Sequence, residues 1–132
     1  MKINTSFFII FTLLLTVGIL GCNDYDCMPE GGDEVAIYNA KYKPGEFEKA
    51  KKIHVEGFSK AMEESGQDRI TYFLEDKENN EVIAISFFRK GNKVHEWHST
   101  EARDNVLESL KTLLKEPIAH EKFHVIDSHA TD

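Results

Sequence analysis

Six histidines, one tryptophan and an asparagine on an otherwise apolar strand are the side chains through which this 132-residue chain could do chemistry. His54 falls within Phe47, Ala50, Ile53, His54, Phe58, Ala61 and Met62, whose three- and four-residue steps mark the apolar face of a helix. A neutral imidazole held there against a sheet can act as a base or hydrogen-bond a phenolic or carbonyl oxygen. The same position also suits a core histidine with one ring nitrogen satisfied. Trp97 offers a flat face to an aromatic ligand, or packs against the sheet. Asn39 follows Val35 and Ile37 on one strand face. If that face looks toward the helices, its amide can orient a substrate oxygen; at a strand end it can equally face solvent. The candidate set is therefore His54 as base and Asn39 as orienting group, with Trp97, His98, Phe58 and Phe87 lining a ligand cavity. Phe58 and Phe87 also suit core or interface.

Other chemistries find less support. His95-Glu96-Trp97-His98 is one residue short of the HExxH spacing that puts two imidazoles on one helix face, and no third ligand is placed by sequence. His120, His124 and His129 read as exposed, so no metal site is expected. There is no glycine-rich phosphate loop, GxSxG elbow, Cys/His pair or close carboxylate dyad.

The elements that must position these residues alternate in period. Glu34 to Tyr42 alternates as a strand and ends at Lys43-Pro44-Gly45; Glu46 to about Ser65 is an amphipathic helix stopped by Gly66. Arg69 to Glu75 and Glu81 to Arg89 form a β-hairpin through Asp76-Lys77-Glu78-Asn79-Asn80. Ser99 or Thr100 caps a second helix, with an apolar stripe from Ala102 to Leu114, that Pro117 terminates; Lys122 to Ser128 is the last strand. The order βαββαβ predicts a ferredoxin-like α+β fold, with both helices on one face of a four-stranded antiparallel sheet. Yet both parities of the strands are apolar: Val35 and Ile37 oppose Ala36, Tyr38 and Ala40, and Ile83, Ile85 and Phe87 oppose Val82, Ala84 and Phe88. Two helices cover one face only, so the other is expected to pack on a second copy, giving a homodimer.

The first residues carry a different message. Lys2, an apolar run over residues 7–20 and Ile19-Leu20-Gly21-Cys22 resemble the signal peptide and lipobox of bacterial lipoproteins. The run of about fifteen residues is short for a bilayer core, which needs about 20. The resemblance implies cleavage after residue 21, lipid on Cys22, a flexible acidic tether over 22–33, a domain over 34–129, a tail over 130–132, and residence in the cell envelope, outside the cytoplasm and held to a membrane by its lipid. Cys27 is then left without an intramolecular partner. Loss of Lys2 takes the formal charge from −7 to −8, which argues against nucleic acid and leaves membrane attachment to the acyl chains.

Tyr42-Lys43-Pro44-Gly45 after the first strand, Asn80-Glu81-Val82-Ile83-Ala84-Ile85-Ser86-Phe87-Phe88 along the third, and Trp97-His98-Ser99 opening the second helix together resemble the antibiotic biosynthesis monooxygenase-like superfamily. The resemblance spans about residues 34 to 129 and implies a dimeric α/β barrel of two ferredoxin-like protomers. It also implies a small aromatic or hydrophobic ligand between sheet and helices. Relatives of this type include cofactor-independent oxygenases of polycyclic phenols, haem-degrading monooxygenases and domains without assigned chemistry. No cofactor is expected on the first reading. For the haem branch, Asn39 and Trp97 match the expected asparagine and tryptophan, but Leu107 stands where the axial histidine belongs. His98, His54 and His124 remain as imidazoles that spacing does not select. A non-catalytic ligand-binding or interaction domain is the competing class.

Overall fold

The computed structural model describes residues 27–129. The expected leader, the expected lipidation site at Cys22 and the tail at 130–132 lie outside the described residues. The elements run β1 (Glu34–Lys41), α1 (Phe47–Ser65), β2 (Asp68–Asp76), β3 (Glu81–Phe88), α2 (Lys93–His98), α3 (Glu101–Leu110) and β4 (Ala119–His124). The strands pair antiparallel in the order β2-β3-β1-β4, the ferredoxin-like topology expected from the alternation of periods.

Local chemistry explains most boundaries. Gly66 takes the left-handed conformation and its N–H returns to the Met62 carbonyl, stopping α1. In the β2–β3 turn, Asp76 Oδ1 accepts from the backbone N–H of Glu78 and Asn79, and Asn80 takes a positive φ of 52°. Thr100 Oγ1 accepts from Arg103 N at 3.4 Å, capping α3.

The structure departs from the sequence reading in five places. Lys93 to His98, ahead of the expected second helix, form the short helix α2, so three helices cover the sheet. The helix expected to run to Pro117 stops at Leu110, because the following backbone is claimed by the end of β1: Lys43 N–H donates to the Leu113 carbonyl and Lys115 N–H to that of Lys41. The last strand starts at Ala119 and ends at His124, beyond which Val125 exchanges backbone bonds with Gly32 and Asp33. Those bonds also correct the tether. Residues 30–33 are docked, with Asp33 fully buried and its carboxylate accepting from Arg69 Nε, Lys90 N and Glu30 N. Cys27 is disulfide-bonded, against the expectation of an unpartnered thiol.

The core lies on the helix side of the sheet. Ala36 and Ala40 of β1, Tyr42 just beyond its end, and Val82 and Phe88 of β3 pack against Phe47, Phe58 and Met62 of α1, Trp97 of α2 and Leu110 of α3. Helix α1 meets α3 at Gly57, where an added Cβ would stand 2.9 Å from Val106 Cγ1 and 3.2 Å from its Cγ2. Alanine there gains about 1 kcal/mol of helix propensity but overpacks against a side chain that is stiff at χ1, at a cost of about 1–3 kcal/mol. Gly57→Ala should therefore destabilise the fold by roughly 1 kcal/mol in urea melts, and adding Val106→Ala should restore stability. A neutral Gly57→Ala would mean that the helices separate freely.

Candidate functional site

Between α1, α2, α3 and the sheet lies a cavity of about 50 Å³. Its walls are largely apolar, with Phe58, Phe73, Trp97, Met62, Leu107 and Ile118 supplying most of the surface and Ala84 the floor. Four polar side chains reach it: Tyr38, His54, Arg103 and His120. An apolar chamber with a few convergent polar groups is the usual form of a small-molecule site.

His54 is fully buried, as its place on the α1 stripe requires, and its ring stacks edge-on to Phe58 at 4.8 Å and Phe73 at 5.8 Å. Burial holds its pKa down to about 4, so the imidazole is neutral. Tyr42 Oη lies 2.6 Å from His54 Nδ1, and burial pushes the tyrosine hydroxyl well above its usual range. Its proton goes to Nδ1, the acceptor within reach, which assigns the remaining ring proton to Nε2. His54 therefore presents a donor to the cavity rather than the lone pair that a base needs.

A second tyrosine–histidine pair also borders the chamber, through Tyr38. Tyr38 Oη is 2.9 Å from His98 Nε2, and the Tyr38 ring stacks on His120 at 6.0 Å. Burial pushes the Tyr38 hydroxyl up to about 12, against smaller lowering effects of Arg103 and Trp97. Tyr38 donates to His98 Nε2 in the tautomer that leaves that nitrogen unprotonated.

Helix α2, which carries Trp97 and His98, is held by Glu34 at the start of β1. Glu34 Oε2 accepts from Val94 N at 3.0 Å and Oε1 pairs with Lys122 Nζ at 2.7 Å. Burial alone would raise its pKa, but the Lys122 and Val94 bonds, with the charges of Lys122 and His124, hold it below the ordinary 4.5. Native Glu34 thus binds its proton more weakly than the unfolded chain does, so its contribution is complete above pH 4.5 and is lost as the pH falls through the lower native value. Glu34→Ala should cost about 1–2 kcal/mol at pH 7 and flatten the acid limb below pH 4.5 in denaturation curves.

The site gathers some sequence candidates and rejects others. His54, Phe58 and Trp97 line one chamber; His98 reaches it through Tyr38. Asn39 and Phe87 do not join them. Their register partners, Ile83 for Asn39 and Val35 for Phe87, place both on the opposite sheet face, away from the helices. Asn39 therefore cannot orient a substrate bound beside His54. Tyr38, Tyr42 and Arg103 were missed. The shared parity of Tyr38 and Tyr42 with Ala36 and Ala40 was the available signal, since small residues mark the face that helices approach.

A haem does not fit. The cavity is far smaller than a porphyrin, and Leu107 lines it where an axial histidine was sought. Among the described residues no three His, Cys, Asp or Glu side chains converge to hold a metal ion. No helix among them is long and apolar enough to cross a membrane.

Comparison with solved structures places this architecture. A provisionally assigned antibiotic biosynthesis monooxygenase from Nitrosomonas europaea aligns with a TM-score of 0.63 at 12% identity, covering 75% of this chain and 95% of that one. Rv0793 from Mycobacterium tuberculosis gives 0.63 at 13% identity, over 74% and 99%. A provisionally assigned antibiotic biosynthesis monooxygenase from Caulobacter crescentus CB15 gives 0.65 at 9%, over 78% and 98%. The fold is that of the antibiotic biosynthesis monooxygenase-like proteins. At these identities the likeness is one of fold, and the site must be argued from its own residues. No family model matches the sequence, and no curated protein matches it.

Proposed function

We propose that this domain binds a small phenol-like molecule between sheet and helices and oxygenates it without a bound cofactor. The observation that carries the reading is the aromatic chamber into which His54 and Tyr38 point polar atoms. Phe58, Phe73 and Trp97 sandwich a ring, and His54 Nε2–H binds its oxygen. The names of the structural neighbours supply the reaction class. In such a reaction a phenol and dioxygen give a quinone and water: the ring provides the electrons, one oxygen atom enters it and the other leaves as water. At about 50 Å³ the ligand-free chamber is smaller than the roughly 150 Å³ cavity that holds benzene, so one ring enters only as the side-chain walls shift, and the fused systems of polycyclic phenols are excluded. One observation favours binding without turnover, namely that Tyr42 occupies the lone pair that would make His54 a base. Oxygen uptake with one-ring phenols, accompanied by quinone absorbance, tests the oxygenase; saturable binding without uptake gives the binding-domain reading.

The protein works, on this proposal, as a homodimer tethered to a bacterial envelope membrane through lipid on Cys22. The sheet face away from the helices is apolar and open, with Tyr72 51% and Leu74 48% exposed. On the same face Asn39 Oδ1 is buried without a hydrogen-bond partner among the described residues. A second copy packed there covers the apolar side chains. The chain's other cysteine is Cys22, and a sulfur carrying a lipid thioether cannot also form a disulfide, so lipid on Cys22 and a disulfide from Cys27 within the same chain exclude each other. Mass spectrometry of protein from a bacterial envelope decides between them: lipid on Cys22 is the result this proposal expects, and an intact leader or a Cys22–Cys27 disulfide in the exported protein contradicts the anchor.

A further inference from the structure

We propose that Tyr38 and His98 form a proton relay that takes the acidic O–H proton of a phenol or enol in the cavity and passes it toward the outer surface. The inference rests on the cavity being a ligand site and supplies the acceptor that His54 lacks. Tyr38 lines the inner chamber, while His98 lines a separate outer groove with His95, His120 and Lys122. The 2.9 Å bond between them joins the two spaces. The bond runs from Tyr38 to His98 in the tautomer whose Nε2 is unprotonated, which leaves the lone pairs of the Tyr38 oxygen for a ligand hydroxyl.

The step balances. The ligand O–H bond breaks and its proton forms a new O–H bond at Tyr38; the original Tyr38 O–H bond breaks as its proton bonds to His98 Nε2. The ligand becomes an anion and His98 an imidazolium, and net charge is unchanged. Arg103, on the cavity wall, faces the new anion. The groups acting on His98 are Arg103 of α3, His120 and Lys122 of β4 and His95 of its own helix; burial first, and then these, hold its pKa near 4 in the ligand-free protein. An anion beside them offsets the cations that keep the ring neutral.

The test uses 4-nitrophenol, whose phenolate absorbs visible light, with nitrobenzene as a neutral control and His98 ring shifts read by NMR. At pH 6 the bound nitrophenol should show a roughly tenfold higher phenolate fraction than in free solution, with His98 moving to the imidazolium position. Nitrobenzene should bind without moving His98. In Tyr38→Phe, and independently in His98→Gln, nitrophenol should still bind but its phenolate fraction should return to within twofold of the free value. A high phenolate fraction that survives in both variants assigns the effect to Arg103 alone and overturns the relay, as does a His98 that stays neutral; the cavity reading survives either result. If neither probe binds, the cavity reading fails and the relay with it.

Discussion

Ile85→Asp should convert a dimer into a folded monomer. Ile85 sits at the centre of the open face, paired with Ile37 on one side and Tyr72 on the other. In an isolated protomer a carboxylate there is hydrated and costs little. Between two sheets it is desolvated and unpaired, at about 3–5 kcal/mol, and the two-fold axis doubles the penalty. The dissociation constant should therefore rise by roughly 10⁴-fold or more. Sedimentation equilibrium at micromolar protein should give twice the protomer mass for the wild type and the protomer mass for the variant. Far-UV circular dichroism should be unchanged, because the helix-side core is untouched. A wild-type chain that sediments as a monomer under these conditions removes the sheet-to-sheet arrangement.

Acidification between pH 6.5 and 4 should remove about 3 kcal/mol of stability through His54 alone. The ring is neutral in the fold, with a pKa of about 4, whereas the unfolded chain binds a proton below 6.5. In that window the unfolded state carries more protons, so stability is complete above pH 6.5 and falls as the pH drops toward 4. The difference in pKa, at about 1.4 kcal/mol for each tenfold, sets the magnitude. His98 is lowered to about 4 as well but is partly solvated, so its share is smaller. Comparison with His54→Phe isolates the buried ring. That variant leaves the Tyr42 hydroxyl without its acceptor and should cost about 1–2 kcal/mol at pH 7. It should then lose the slope and overtake the wild type between about pH 6 and pH 5, so that it is the more stable protein at pH 4.5. Parallel urea curves at pH 7 and 4.5 for both proteins, with no crossing, would show that His54 is not held neutral by burial.

The fold was legible because its signals are local and repeated. Alternating residues in Glu34 to Lys41 and Glu81 to Phe88, the stripe along α1 and the Asp76 turn each point to one geometry, and together they fix the element order. The apolar character of both strand parities also showed in sequence. Which parity faces the helices did not, because Val35 and Ile37 are as apolar as Ala36 and Tyr38, and that ambiguity misplaced Asn39 and Phe87. His54 was found because a polar residue inside a helical stripe stands out. Tyr42 was not, since nothing local shows that a tyrosine just past β1 meets a histidine twelve residues later at 2.6 Å. Helix α2 was missed because six residues are too few to show a period, and it depends on a long-range cap from Glu34. The docking of Asp33 is of the same kind: the partners that bury it, Arg69 and Lys90, come from distant parts of the chain.

The central claim is that the chamber beside His54 takes a small aromatic molecule, and the chain carries its own reporter. Trp97 is the single tryptophan and forms part of the chamber wall. Titration with phenol, exciting the indole selectively, should give a saturable change in Trp97 fluorescence, and Ala84→Leu, which fills the floor of the chamber, should abolish it. A response that stays linear to the solubility limit, or that is the same in Ala84→Leu, would contradict the account.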